Sequence, residues 1–197
     1  MPAKLNCDFE EYFNLELLDG YGITETSTMV TMNWSGKERN MGSCGLPLPG
    51  MSVRIIDGND LDVKPGEEGE LICRGPNVMI GYHKKENETD KILKNGWYFT
   101  GDLAKQDLNG FITITGRLKE IIIRGGQNIS PTEVEEVLLK YPKILDCAVV
   151  GLKHSQLGEV PAAFVILKDG EIFDELEIKR FCTNELSKYK IPDIVQR

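Results

Sequence analysis

The sequence has 197 residues, 41% of them apolar, with 23 Lys and Arg against 31 Asp and Glu and a formal net charge of −8. That length can bury a core for one domain or two small ones, and the acidic balance disfavours nonspecific binding to nucleic acid or anionic membranes. Five cysteines (Cys7, Cys44, Cys73, Cys147 and Cys182) with no Cys-x-x-Cys spacing argue against a disulfide framework and a zinc ribbon. His83 and His154 stand in different contexts, which argues against a His-rich metal site. With no apolar run long enough to span a bilayer and no signal-peptide pattern, a cytoplasmic protein without a transmembrane segment is expected.

In chain order, Phe9, Tyr12, Phe13 and Leu17 predict a short helix within Asp8–Leu18, broken by Asp19-Gly20-Tyr21-Gly22. From Gly42 to Gly81 the chain is rich in Gly and Pro. Val53–Ile56 and Gly69–Cys73 read as strands there, with a turn at Lys64-Pro65-Gly66. A short helix is expected over Asn87–Leu93. Strands are expected at Trp97–Asp102 and Phe111–Thr115, joined by a turn at Asp107-Leu108-Asn109-Gly110. Ile121–Arg124 reads as a strand stopped by Gly125-Gly126. Ser130-Pro131-Thr132-Glu133 then predicts a helix start with a capping box, and Val134, Val137 and Leu138 are its core face. Strands at Ala148–Leu152 and Ala162–Leu167 follow. The last helix, about Asp174 to Leu186, has Leu176, Ile178 and Phe181 as core candidates. A boundary is expected near Arg117–Lys119, between a β-rich part, residues 1–117, and a compact α+β unit, residues 118–197.

Three clusters carry residues with chemistry. Tyr21-Gly22-Ile23-Thr24-Glu25 places an aromatic, a glycine, a hydroxyl and a carboxylate on one turn. Together these could stack a base, admit a phosphate to the backbone, donate to it and hold Mg²⁺. Tyr98-Phe99-Thr100-Gly101-Asp102 ends in a carboxylate able to accept both hydroxyls of a ribose. Gly116-Arg117-Leu118-Lys119-Glu120, followed by Arg124-Gly125-Gly126, offers a guanidinium fork and a glycine pair that a ligand could approach closely. Taken singly, the first reads more readily as an ordinary loop and the second as a common turn, while the third reads equally as a charged hairpin. His154 reads as a loop histidine rather than an acid or base.

Their order carries more. Tyr-Gly-x-Thr-Glu, then Gly-Glu-Leu-x-x-x-Gly at Gly69–Gly75, Thr-Gly-Asp, Gly-Arg and Arg-Gly-Gly resembles the adenylate-forming superfamily of acyl-CoA synthetases, luciferases and peptide-synthetase adenylation domains. The resemblance runs from about Gly20 to Pro192. It implies an α/β (α+β) fold: the β-rich C-terminal end of the large AMP-binding domain, followed by the small, mobile C-terminal domain. It implies that Tyr21 stacks on adenine with Asp19 and Gly20 along the same edge, that Gly22 and Thr24 face the phosphates, and that Glu25 holds Mg²⁺. It further implies Asp102 on the ribose, Ile114 against the nucleoside, Arg117 on ribose or phosphate, Lys119 at the hinge, and Gly125 and Gly126 beside the pantetheine of CoA. Thr24, Glu25 and Arg117 are then the candidate catalytic residues. ATP (leaving AMP), Mg²⁺, coenzyme A and a carboxylic acid are the implied cofactors and substrates.

Gly-Arg-Leu-Lys-Glu is closer to acyl- and aryl-CoA ligases, including those of fatty acid metabolism, than to the Gly-Arg-x-Asp-x-Gln of peptide synthetases. Two family motifs have no counterpart here: the Ser/Thr/Gly-rich phosphate loop and the Pro-Lys-Thr-x-x-Gly-Lys catalytic lysine. Lys188 and Lys190 belong to the motif before that lysine. The expectation is a C-terminal fragment of an acid–CoA ligase, inactive alone. It would lack the N-terminal part of the same enzyme and tend to self-associate through uncovered apolar faces. The alternatives are a ligase that loads a carrier protein, and a non-catalytic module that binds nucleotide or protein.

Overall fold

In the computed structural model, residues 3–36 and 39–197 are described. The chain divides into two compact units, Met1–Thr115 and Gly116–Arg197, and its architecture is mixed α/β and rich in strand.

The first unit opens with α1 (Ala3–Phe13), five residues earlier than the expected start at Asp8. Asn14 ends it, with a φ of 52° and a backbone bond from its N–H to the Glu10 carbonyl at 2.9 Å. Asn tolerates the left-handed conformation better than most residues, which is why the helix stops there and not at Leu18. Strands β1 (Gly20–Ile23), β2 (Thr28–Met32) and β3 (Leu46–Pro47) form a small antiparallel sheet in that order. Polar Thr/Glu/Ser composition conceals the β1–β2 hairpin from a pattern reading. β4 (Ser52–Ile56), β5 (Glu68–Arg74), β6 (Leu93–Lys94), β7 (Trp97–Gln106) and β8 (Ile112–Arg117) form a second sheet, ordered β4-β5-β7-β6 with β8 also on β7. The Lys64-Pro65-Gly66 turn is present, closed by the Glu67 N–H on the Lys64 carbonyl at 3.0 Å. So is the turn from Asp107 to Gly110, closed at 3.1 Å. Helix α2 (Glu86–Ile92) matches its expectation within a residue. Val30, Leu71, Cys73, Ala104 and Ile112 are fully buried and form the centre of this unit's core.

In the second unit, β9 (Ile122–Arg124) and β10 (Gln127–Ile129) pair as a hairpin with Arg124 opposite Gln127. Gly125 and Gly126 are the whole loop, with φ values of 55° and 83°. A type I′ two-residue hairpin loop needs positive φ at both positions, which glycine supplies at no steric cost; the glycine pair therefore turns the chain rather than merely ending a strand. α3 (Pro131–Leu139) follows, then β11 (Ile144–His154) and β12 (Gly158–Leu167) as a long antiparallel hairpin. α4 (Glu175–Glu185) and the short β13 (Ile194–Gln196), parallel to β12, complete it. The sheet order is β10-β9-β12-β11, with β13 also on β12.

Val134, Val137 and Leu138 on α3 are buried as expected, against Ile129, Val165 and Ile178. The capping box is absent: the Ser130 side chain makes no cap bond, and the Glu133 carboxylate is taken by Lys190 Nζ at 2.5 and 2.7 Å. An ammonium is the stronger partner for a carboxylate than a neutral N–H. On α4, Asp174 caps through two backbone N–H groups. Ile178 and Cys182 are buried one turn apart, while Leu176 is 65% exposed. It sits two residues before Ile178, about 200° around the helix at 3.6 residues per turn. It is therefore not a core residue.

Candidate functional site

The conformation of β1 dictates the first motif's geometry. A Cβ at Gly22 would lie 1.8 Å from the Thr28 carbonyl oxygen, so only glycine lets β1 and β2 approach there. The pairing shifts register between Tyr21 and Gly22. Thr24, Glu25 and Thr26 then form one 3₁₀ turn, ended by Ser27 at a φ of 57°. Thr26, which no sequence pattern marks, is fully buried. Its hydroxyl donates to the Ile23 carbonyl at 3.0 Å and so locks the turn. Thr24 is exposed at its tip and Glu25 is half-buried beside it.

The second motif arrives beneath the first on β7. Asp102 is 5% exposed and accepts from the Tyr21 hydroxyl at 2.5 Å, across 81 residues of sequence. It lies within β7 rather than at a strand end. Gly101, at a φ of 72°, deforms the strand, and the register shifts on the facing β5 between Glu70 and Ile72. Two bonds fix the deformation. The Asp102 N–H donates to Thr100 Oγ1 at 3.0 Å, and the Gly101 N–H donates to Glu70 Oε1 at 3.0 Å. Burial raises the Glu70 carboxyl above the ordinary carboxylate range. Burial also raises the Tyr21 phenol far above its usual value, and the Asp102 bond adds to that. Ile114, half-buried on β8, packs against the same core.

Asp19 Oδ2 accepts from Asn6 Nδ2 at 3.0 Å; Asn6 on α1 is 2% exposed. The Asp19 carbonyl accepts the Asn33 N–H at 2.9 Å. Gly20 is exposed. Asp19, Gly20, Tyr21, Gly22, Thr24, Glu25, Asp102 and Ile114 thus all belong to the first unit.

Sequence patterns do not reveal Tyr82. Its hydroxyl donates to Glu25 Oε1 at 2.6 Å, and its phenol interacts electrostatically with that of the buried Tyr98. No local pattern around Gly81-Tyr82-His83 signals a partner 57 residues away. Among the described residues, no group of three or more His, Cys, Asp and Glu could hold a metal ion. Glu25 therefore belongs to no such cluster, which suits Mg²⁺ if most of the ion's ligands are phosphate oxygens and water.

Arg117, the last residue of β8, which runs across the boundary of the two units, and Lys119 are exposed, Lys119 within a 3₁₀ turn over Leu118–Glu120. Gly126 has no atom within 4 Å of the place where a Cβ would stand. It borders an open cleft of about 700 Å³ lined also by Ile123, His154, Leu157 and Glu159. His154 closes the β11–β12 turn, where its Nδ1 accepts the N–H groups of Gln156 and Leu157, both at 3.2 Å. The Gly125 N–H donates to the Leu157 carbonyl at 2.7 Å, tying the two hairpin tips together. No helix among the described residues is long and apolar enough to cross a membrane.

Two family profiles match the chain: the AMP-binding enzyme at residues 1–83 and the AMP-binding enzyme C-terminal domain at residues 133–197. The chain is 40% identical over 180 residues to a long-chain-fatty-acid–CoA ligase of Escherichia coli O157:H7, covering 91% of this chain and 32% of that protein. It is similar to the crystal structure of ATP-bound MatB from Rhodopseudomonas palustris, with a TM-score of 0.95 and 32% identity over 99% of this chain and 39% of that one. It is also similar to o-succinylbenzoate coenzyme A synthetase from Bacillus subtilis in complex with ATP and magnesium ion. There the TM-score is 0.86, with 33% identity over 100% of this chain and 40% of that one. The chain spans about a third of the length of the curated relative it matches. Its two profile matches, its ordered motifs and its fold place the chain in the AMP-binding, adenylate-forming enzyme family.

Proposed function

We propose that this chain is the C-terminal part of an ATP-dependent carboxylic acid–CoA ligase. Residues 1–117 would be the end of the large AMP-binding domain and residues 118–197 the small C-terminal domain. The observation that carries the reading is the 2.5 Å bond between Tyr21 and the buried Asp102, which joins two of the ordered motifs at one place. The relatives named above support it, being a CoA ligase and a CoA synthetase by name.

In the whole enzyme, the carboxylate of the acid attacks the α-phosphate of ATP. Pyrophosphate leaves, and the CoA thiol then displaces AMP. The Tyr21 ring presents a face to adenine while its hydroxyl stays on Asp102. The Asp102 carboxylate retains acceptor capacity for ribose hydroxyls, since each carboxylate oxygen has two lone pairs. Glu25 is the residue that would hold Mg²⁺, whose contribution is to neutralise charge on the phosphates. Thr24 and Arg117 are the donors to phosphate or ribose oxygens, and Lys119 is the pivot between the adenylation and thioester steps. Gly125 and Gly126 leave room for pantetheine.

These 197 residues hold neither the phosphate loop nor the catalytic-lysine motif of the family, so the chain alone is expected not to form acyl-AMP. The test is a thioesterification assay on the full-length gene product, supplied with ATP, carboxylic acids and either CoA or a carrier protein. Product on CoA supports the reading, and product on the carrier protein alone replaces it. Nucleotide titration of this chain addresses a purely binding role.

A further inference from the structure

We infer that Tyr82 is a positioning residue for the Glu25 carboxylate, presenting it to the cation that accompanies the nucleotide; the inference rests on the functional reading above. A half-buried glutamate has three side-chain torsions and samples many directions. Here one oxygen is held. Tyr82 donates to Glu25 Oε1 at 2.6 Å, which takes one of its lone pairs and fixes the plane in which the carboxylate can accept a ligand.

The phenol also has a buried neighbour. It interacts electrostatically with Tyr98, which is 5% exposed and stands on β7 four residues before Asp102. The same strand thus sets a buried phenol beside Tyr82 and carries the expected ribose ligand. The segment carrying Tyr82 is also tied to the Glu25 turn and to β2 after it. The Met79 N–H donates to the Glu25 carbonyl at 2.7 Å, the Ser27 hydroxyl donates to the Asn77 carbonyl at 2.9 Å, and Asn77 Nδ2 donates to the Met29 carbonyl at 3.1 Å. Just before Tyr82, Gly81 has a φ of 149°, and a Cβ there would meet the Thr89 methyl at 2.9 Å. A glycine at that point lets the chain turn so that the next side chain reaches Glu25. Groups that orient a metal ligand from behind often matter about ten-fold or more in metal affinity or activity.

The test measures ATP–pyrophosphate exchange by the full-length ligase carrying this sequence as a function of free Mg²⁺. The proteins are wild type, Tyr82→Phe, Glu25→Gln and the double variant. Phe keeps the ring and removes only the donor. Tyr82→Phe should raise the Mg²⁺ needed for half-maximal exchange by about ten-fold and leave KM for the carboxylic acid unchanged. In the double variant, Tyr82→Phe should add no further loss to Glu25→Gln, because a residue acting only through Glu25 is silent once that carboxylate is gone.

A wild-type Mg²⁺ dependence in Tyr82→Phe, or losses that add in the double variant, would overturn the inference. A second readout is independent of activity. In this chain labelled with ¹³C-tyrosine, Glu25→Gln should move the Tyr82 Cζ resonance, and no movement overturns the inference. Wild-type protein without exchange on any carboxylic acid would sink the functional reading, and the resonance then decides the contact by itself.

Discussion

The Tyr21–Asp102 bond offers the sharpest test of the site's architecture, because it can be broken without disturbing packing. Tyr21→Phe keeps the ring and deletes one hydroxyl. The lost interaction is a neutral donor on a carboxylate that is 5% exposed, at 2.5 Å. Bonds to charged groups contribute roughly 1.5–3 kcal/mol. The variant should therefore lose about 2 kcal/mol of unfolding free energy. Trp34 and Trp97, the two tryptophans of the sequence, both lie in the first unit, so urea unfolding followed by tryptophan fluorescence reports that unit. The bond also predicts a pH dependence. Burial first, and the Asp102 bond second, raise the Tyr21 phenol above its ordinary value of 10.0. The folded chain then keeps a proton that the unfolded chain has released. The contribution is complete below about pH 10 and declines as pH rises above it, by at most about 1.4 kcal/mol per pH unit for one proton. Wild type should lose stability faster than Tyr21→Phe in that range. Equal urea midpoints at neutral pH, or parallel alkaline slopes, would refute the assignment of Tyr21 as the principal donor to Asp102.

In the full-length enzyme, Asp102→Ala should weaken ATP binding by about 1–3 kcal/mol, the cost of losing a charge-assisted pair; unchanged affinity by calorimetry would mean that Asp102 serves the fold and not the nucleotide. Lys119→Pro, which fixes φ and removes a backbone donor at the proposed pivot, should slow thioester formation more than adenylation, and equal slowing of both half-reactions would remove Lys119 from that role. Leu138→Ala should destabilise the second unit by about 2–5 kcal/mol, since Leu138 is fully buried among Ile129, Val165 and Ile178 and a cavity would remain. Amide exchange along β12 reads this, and unchanged protection there would contradict the core described above.

By itself the sequence determined the elements whose pattern is local. Val53–Ile56, Trp97–Asp102, the Asp107–Gly110 turn and the buried face of α3 are written in short periodicities and turn residues. The motif set from Tyr21 to Arg124 pointed to the family because each motif is a contiguous run. What it did not determine depends on partners far away in the chain. The capping box at Ser130 was locally plausible, but Lys190, 57 residues on from Glu133, takes that carboxylate. Leu176 is apolar and helical, yet the direction of α4's packing leaves it in solvent. Tyr82 carries no motif at all and is drawn to Glu25 only once β7 and the segment from Asn77 meet the 3₁₀ turn. Short-range propensity is a property of neighbours in sequence, whereas a hydrogen bond between side chains 57 or 81 residues apart exists only after the sheet register has brought their backbones within reach. The tertiary structure therefore decided which polar groups of the candidate site hold one another.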